Sequence, residues 1–521
     1  MVNNMEGKDF DKSRVISNYP IIVIGAGLGG LGAACQLAYV GKKVLLLEKH
    51  NVPGGFATSF VRGRFEFEGA LHELSEIGTE EDKGSLYRFL ERIGVIPDKI
   101  KFKQVPEFYR SVFLDGYDVT MPIGVEEYTN KLIELFPAEK KGIEDFIEMC
   151  QAVFEGIKFV ATRGGRFSPA EILKEHPWLA RVSGLTLSEV YEKFFTDKRM
   201  IAVISQLWVY LGLPPQRLNA YAYLAMLILY LKYGAAFPRG RSHAFTSAMV
   251  KSFEELGGEV RYNALVDRIL VENGRACGVE LLNGDIYLCD AVISNVNPIC
   301  TTMKMLPEEV VPESYKKQIY APEIGPSGFS VYIGLNAPYK ELGFNAHETF
   351  INETDDLKSA YGSFTKLEPP KYMVAACYNH IYDNISAPGT TQLVLTTLQM
   401  GKIWQGVSPD GYHKMKDYIA DKMVGLVEQT ICPNIRDYIE VAEAATPLTY
   451  YRYSKNIEGA IYGYTQGILN GPTLRLKSRG SIPGLYQAGA WTNIGGGFST
   501  SILGGRIAAG MYLRDSKEGR W

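Results

Sequence analysis

The strongest candidates for proton chemistry lie in one run, Phe65-Glu66-Phe67-Glu68-Gly69-Ala70-Leu71-His72-Glu73. If the first four residues form a strand, Glu66 and Glu68 share one face and the phenylalanines the other. His72 follows the glycine turn. An imidazole there suits giving or taking a proton near neutral pH, or steadying a cation. The competing reading is a histidine hydrogen-bonded for structure alone. Glu68 is weighted towards structure, because buried carboxylates commonly accept backbone N–H groups. Glu73 is the third candidate acid. The seven histidines have no metal-ligand spacing, and no two of the seven cysteines form C-x-x-C, so neither a metal site nor dithiol redox chemistry is expected.

The partner of such groups is indicated by Gly25-Ala26-Gly27-Leu28-Gly29-Gly30. The motif follows the apolar run Ile21–Ile24 and opens a small-residue helix, the setting in which G-x-G-x-x-G binds a dinucleotide. Its glycines allow a tight turn, a close diphosphate and close helix–strand packing. The helix N-terminus adds free N–H groups and partial positive charge. Glu48 closes the second strand, where a carboxylate accepts hydrogen bonds from ribose hydroxyls.

Two further glycine runs separate FAD from NAD. Pro53-Gly54-Gly55-Phe56-Ala57 gives a second backbone contact, and Gly489-Ala490-Trp491 with Gly495-Gly496-Gly497-Phe498 a third. An extended FAD needs all three, and a second helix N-terminus near the chain end suits negative charge on a reduced flavin ring. No second G-x-G-x-x-G follows a strand, so a separate nicotinamide domain is not expected. Electrons then reach or leave the flavin through the substrate cleft, from a quinone, oxygen, a nicotinamide or a redox protein.

With these segments in view, the chain resembles the phytoene desaturase, carotenoid isomerase and retinol saturase group of FAD enzymes in the amine-oxidase-like superfamily. The resemblance runs through Ile21–Phe67, Tyr210–Asp290, Thr446–Tyr464 and Gly484–Ala509. It implies diphosphate contacts at Gly25, Gly27 and Gly30, with Ala26 and Gly29 in the same loop, and ribose contact at Glu48, beside Lys49. Gly54 and Gly55, with Ala57 and Thr58 beyond, would meet the ribityl chain and diphosphate. Val266 would meet adenine through its backbone. Gly489, Ala490, Gly496 and Gly497, with Phe498, would approach the ribityl chain and ring. His72 matches a histidine of the retinol saturase motif. Two departures stand out: Ala490 replaces the Asp common in the superfamily, and Pro238-Arg239-Gly240-Arg241 replaces Pro-x-Gly-Gly.

The elements that must position these residues read as α/β: a discontinuous Rossmann-type FAD-binding domain with an α+β substrate domain carrying a second mixed sheet and helices. The expected boundaries are 19–78, 236–300 and 471–515 for the cofactor, 79–235 and 301–470 for the substrate, and a tail at 1–18. Asp115-Gly116 predicts a hairpin, and Asn273-Gly274 with Asn283-Gly284 a three-stranded meander over Val266–Leu288. Phe329–Leu335, Tyr372–Cys377 and Gln392–Leu398 predict strands of the second sheet. Ala220–Leu231, apolar on nearly every side, is either a core helix or the wall of a tunnel for a long apolar substrate. Its 12 residues fall short of the roughly 20 a bilayer span requires. Lys99, Lys101 and Lys103 could assist at an anionic membrane but read more simply as a solvated face.

Apolar residues at 46% permit a large core, and a net charge of −3 leaves no basic field for nucleic acid. The polar start of the chain lacks a secretion signal, so the expectation is a cytoplasmic protein, or one peripheral on the inner face of a membrane. The expected function is FAD-dependent saturation, desaturation or cis–trans isomerisation of carbon–carbon double bonds in an apolar polyene, isoprenoid or unsaturated lipid. The alternatives are a flavin amine oxidase and a non-catalytic lipid-binding carrier.

Overall fold

The computed structural model describes residues 11–163, 168–471 and 474–517. The first part of the expected tail, residues 1–10, lies outside them. Residues 15–18 do not belong to a tail: the first strand runs Val15–Ile24, extending the apolar run backwards along a partner strand, Ile286–Ser294.

That strand is the axis of a seven-stranded sheet in the order 259–261, 44–47, 15–24, 286–294, 275–281, 266–272, with 485–487 also on 286–294. The partners on the nucleotide side are parallel, and the meander is antiparallel. Ile286–Ser294 serves both halves. Its first residues pair with the meander, and Val292–Ser294 pair with Leu485–Gln487. The last strand of the expected meander therefore does not stop at Leu288 but runs on to Ser294. The parallel centre is covered on both faces, which explains why Val44–Leu47 is wholly apolar and wholly buried.

Helix Leu28–Tyr39 covers this sheet and packs on the final helix, Phe498–Lys517. The contact is backbone to backbone. A Cβ on Gly32 would lie 2.4 Å from the Ile502 carbonyl oxygen, and one on Gly505 only 1.9 Å from that of Gly29. This is why small residues dominate the first helix.

A second seven-stranded sheet runs 439–445, 327–335, 391–399, 372–377, 348–352, 109–113, 118–121. It is mixed, because Tyr109–Phe113 lies parallel to Glu348–Asn352 while the other neighbours are antiparallel. The hairpin at Asp115-Gly116 forms as expected, with Gly116 alone taking the positive φ (90°). Helices fill most of 125–233, including Lys140–Arg163 and Ala220–Tyr233. Among the described residues no helix is long and apolar enough to cross a membrane.

The lysine run is not a free basic face. Lys99 pairs with Glu255 at 2.6 Å, and Lys103 Nζ donates to the Ile381 carbonyl at 2.6 Å. Arg241, the cation where a glycine is usual, holds φ at +70° and is buried. It spans Glu66 (3.1 Å), the Ile385 carbonyl and Gln392 Oε1 (3.3 Å), tying the Phe65–Glu68 strand to the second sheet.

Candidate active site

Between the two sheets lies a cavity of about 2300 Å³. Its nucleotide end is built of backbone. Gly27 caps the N-terminus of helix Leu28–Tyr39 without a side chain, so the first-turn N–H groups have no capping acceptor. Gly54 N–H donates to the Ala26 carbonyl at 2.8 Å, which joins the two glycine runs. A Cβ on Gly54 would come within 2.1 Å of the Ala57 carbonyl oxygen, and its φ of +113° suits glycine alone. Glu48 stands at the end of the second strand with both carboxylate oxygens held, by Ala26 N–H (2.7 Å) and His50 N–H (2.9 Å).

Of the expected cofactor contacts, Gly25, Gly27, Gly29, Glu48 and Lys49 line the cavity. So do Gly54, Gly55, Thr58 and Val266, and from the chain end Ala490, Gly496, Gly497 and Phe498. Ala26, Gly30, Ala57 and Gly489 stand behind the lining. A Cβ on Gly30 would reach 1.9 Å from the Gly25 carbonyl oxygen, so this glycine serves helix–strand packing. Gly489 packs against Gly29 and the Asn295 side chain. Asn295 was not foreseen. It follows the long shared strand, faces the glycine loop and lines the cavity. Uncapped N–H groups, a bare backbone cradle and a carboxylate one strand away together fit the diphosphate and ribose of FAD.

Farther in, the wall turns titratable. Tyr332 donates to the Gly69 carbonyl (2.6 Å), Tyr378 to that of Leu71 (2.9 Å), and His347 Nε2 sits 2.9 Å from that of His72. Three side chains of the second sheet or its flanks thus pin the turn that carries His72. His72 Nδ1 lies 2.9 Å from Glu348 Oε1, and the Tyr210 hydroxyl donates to Glu348 Oε2. His72, Glu73, Tyr210 and Tyr230 line the cavity; Glu348 stands behind them. Burial opposes the charge on Glu348, but the His72 contact, with His347 and Tyr210, outweighs it and keeps the carboxyl below its ordinary range. Glu73 goes the other way. Burial, reinforced by the Glu348 charge, lifts it well above the usual carboxylate range.

Glu68 does not reach the cavity. It is buried and accepts the Ser242 N–H at 2.8 Å, and burial pushes its carboxyl up to about 8. Its observed contact is with backbone, not with the cavity. Glu73, His347 and Glu348 each bring one ligand atom within 4.8 Å of the others, but both His347 nitrogens already face carbonyls, of His72 (2.9 Å) and Cys377 (3.2 Å).

One stretch of the remaining wall is apolar and aromatic. Tyr221, Ala225, Met226 and Leu229 of helix Ala220–Tyr233 face the cavity with Ile157 and Val160. Tyr223, Leu224, Leu227 and Leu231 of the same helix are core. The helix is core on one face and cavity wall on the other. Trp491 lines the cavity and meets Tyr464 edge-on at 4.9 Å, so it does packing work as well.

The fold and site thus define an FAD-binding flavoprotein. The chain belongs to the family described as flavin containing amine oxidoreductase, whose model matches residues 28–511. It is similar to the chloroplastic prolycopene isomerase of Daucus carota, at 28% identity over 95% of this chain and 81% of the relative. It is similar also to the all-trans-retinol 13,14-reductase of Danio rerio, at 27% identity over 89% and 81%. In fold it matches an oxidoreductase from Methanosarcina mazei with a TM-score of 0.65, at 17% identity over 95% of this chain and 99% of that one.

Proposed function

We propose that this flavoenzyme acts on carbon–carbon double bonds of an apolar polyene or isoprenoid, by saturation, desaturation or cis–trans isomerisation. One observation carries the reading: a single cavity joins the glycine cradle, the His72–Glu348 pair and a long apolar wall. The names of the two relatives, a prolycopene isomerase and a retinol reductase, support the substrate class. FAD supplies hydride acceptance or donation when bound.

The residues of the chain do the rest. The apolar wall excludes water and lays a long ligand along the cleft. Glu348 fixes the His72 ring through Nδ1, leaving Nε2 as the nitrogen for a ligand, where it holds a proton or faces a developing cation. On this reading residues 19–78, 236–300 and 471–515 serve the cofactor, and 79–235 and 301–470 the substrate. A quinone, oxygen, a nicotinamide or a redox protein meets the flavin through the same cleft, and the protein works at a membrane surface from which apolar ligands come.

The test is to reduce the protein-bound flavin without oxygen and add candidate polyenes. The expected result is flavin reoxidation or an isomerised product; neither, with any polyene, would overturn the reading. The family name favours one rival, amine oxidation. A panel of amines that bleaches the flavin and releases peroxide would establish it.

A further inference from the structure

Glu73 and Glu348 are neighbours, each at least nine-tenths buried, and their oxygens approach within 4.8 Å. Two carboxylates so placed, away from water, are costly to ionise together. Their surroundings are unequal. Glu348 has two donors, His72 Nδ1 and the Tyr210 hydroxyl. Glu73 has neither: the Tyr230 hydroxyl faces it, but among the described residues no donor meets either of its buried carboxyl oxygens in full hydrogen-bond geometry. The charge therefore belongs on Glu348 and the proton on Glu73. The other groups facing the pair fit this division. His347 is held towards its neutral form by burial, Glu107 is occupied by His380 (3.0 Å) and the His347 N–H (2.6 Å), and the Tyr210 and Tyr230 hydroxyls are pushed well up by burial and stay protonated. Glu73 also lines the cavity. A carboxyl kept protonated at the cavity wall, with a carboxylate neighbour that opposes its ionisation, holds a proton where a ligand in that space can receive it.

We propose that Glu73 and Glu348 hold one proton between them, and that Glu73 passes it to, and takes it back from, a carbon of the ligand in the cavity. The second half rests on the polyene reading above. In the step, the π pair of a double bond forms a new C–H bond with the Glu73 proton, and the Glu73 O–H bond breaks. The adjoining carbon becomes cationic, and its charge spreads along the polyene. The former double bond is now free to rotate. Loss of a proton from the same carbon to Glu73 restores the double bond and the acid. No electrons are gained or lost. Glu348 is a positioning residue: it orients His72 and keeps the proton on Glu73.

The experiment has two arms. Infrared spectra of the holoprotein at neutral pH should show buried protonated carboxyl bands, one lost in Glu73→Gln and another in Glu68→Gln. An unchanged spectrum in Glu73→Gln overturns the shared proton. In heavy water, polyene recovered after incubation should carry deuterium, and Glu73→Gln should lower its uptake by about 10²–10⁴-fold with the flavin spectrum intact. Turnover with no deuterium, or with uptake untouched by Glu73→Gln, overturns the transfer. Should Glu73→Gln fail to fold, Glu348→Gln serves: without its charged neighbour Glu73 ionises at lower pH, so the alkaline loss of uptake should move down, and an unmoved limb overturns the coupling. If the wild type turns over no polyene at all, the function reading falls, while the infrared arm still decides the proton pair.

Discussion

Single residues were legible where their chemistry is local. The glycine loop and Glu48 sit within one βαβ unit, so spacing alone brought them together. His72 and Glu73 could be named, but their setting could not, because Glu348 lies 276 residues from His72 and reaches it only through the second sheet. Glu68 illustrates the opposite case, a carboxyl in the right run that turns away from the cavity. Its raised pKa has a consequence with a definite sign. The unfolded acid titrates near 4.5 and the folded one near 8, so the stability of the neutral buried form is fully present below 4.5 and is lost as pH rises through 8. Thermal melts of wild type and Glu68→Gln should therefore converge or cross in favour of the variant between pH 5 and 9; parallel curves would contradict it. At the nucleotide end, Gly27→Val puts a side chain against Asn295 Nδ2, which lies 2.7 Å from where the Cβ would stand. The expected outcome is a folded, colourless protein, read from its visible spectrum.

Among elements, continuous apolar strands are legible with or without a turn signal, as Phe329–Leu335, Tyr372–Cys377 and Gln392–Leu398 show. Glu348–Asn352 and Ile439–Ala445 are harder to read, since neither is bounded by an Asn-Gly or Asp-Gly pair. The helix Ala220–Tyr233 shows why periodicity could not choose between core and tunnel: both environments are apolar, so every face carries the same residue type. Its two faces can be separated by substitution. Met226→Trp should narrow the cavity, weakening capture of long polyenes at least tenfold in a binding titration while leaving flavin content unchanged. The helix start depends on Asn219, whose side chain accepts the Ala222 N–H at 3.2 Å and donates to the Ser183 carbonyl at 2.9 Å. Asn219→Ala should cost about 1–2 kcal/mol in a denaturant titration.

At the scale of the molecule, the α/β class and the second mixed sheet could be inferred, but not the order of the second sheet, whose strands come from residues 109 to 445. Cofactor and fold are coupled by mass action. With free FAD at about a hundred times its dissociation constant, binding adds roughly 2.7 kcal/mol, so stripping the flavin should lower the melting temperature, and restoring it should reverse the loss. The shared strand Ile286–Ser294 has a temporal consequence. It lies between Val15–Ile24 and Leu485–Gln487, so the nucleotide sheet joins segments nearly 470 residues apart. A ribosome must release all the residues between them before that sheet can be finished. The glycine loop thus waits for a helix made more than four hundred residues later, and contacts so distant along the chain make for slow maturation.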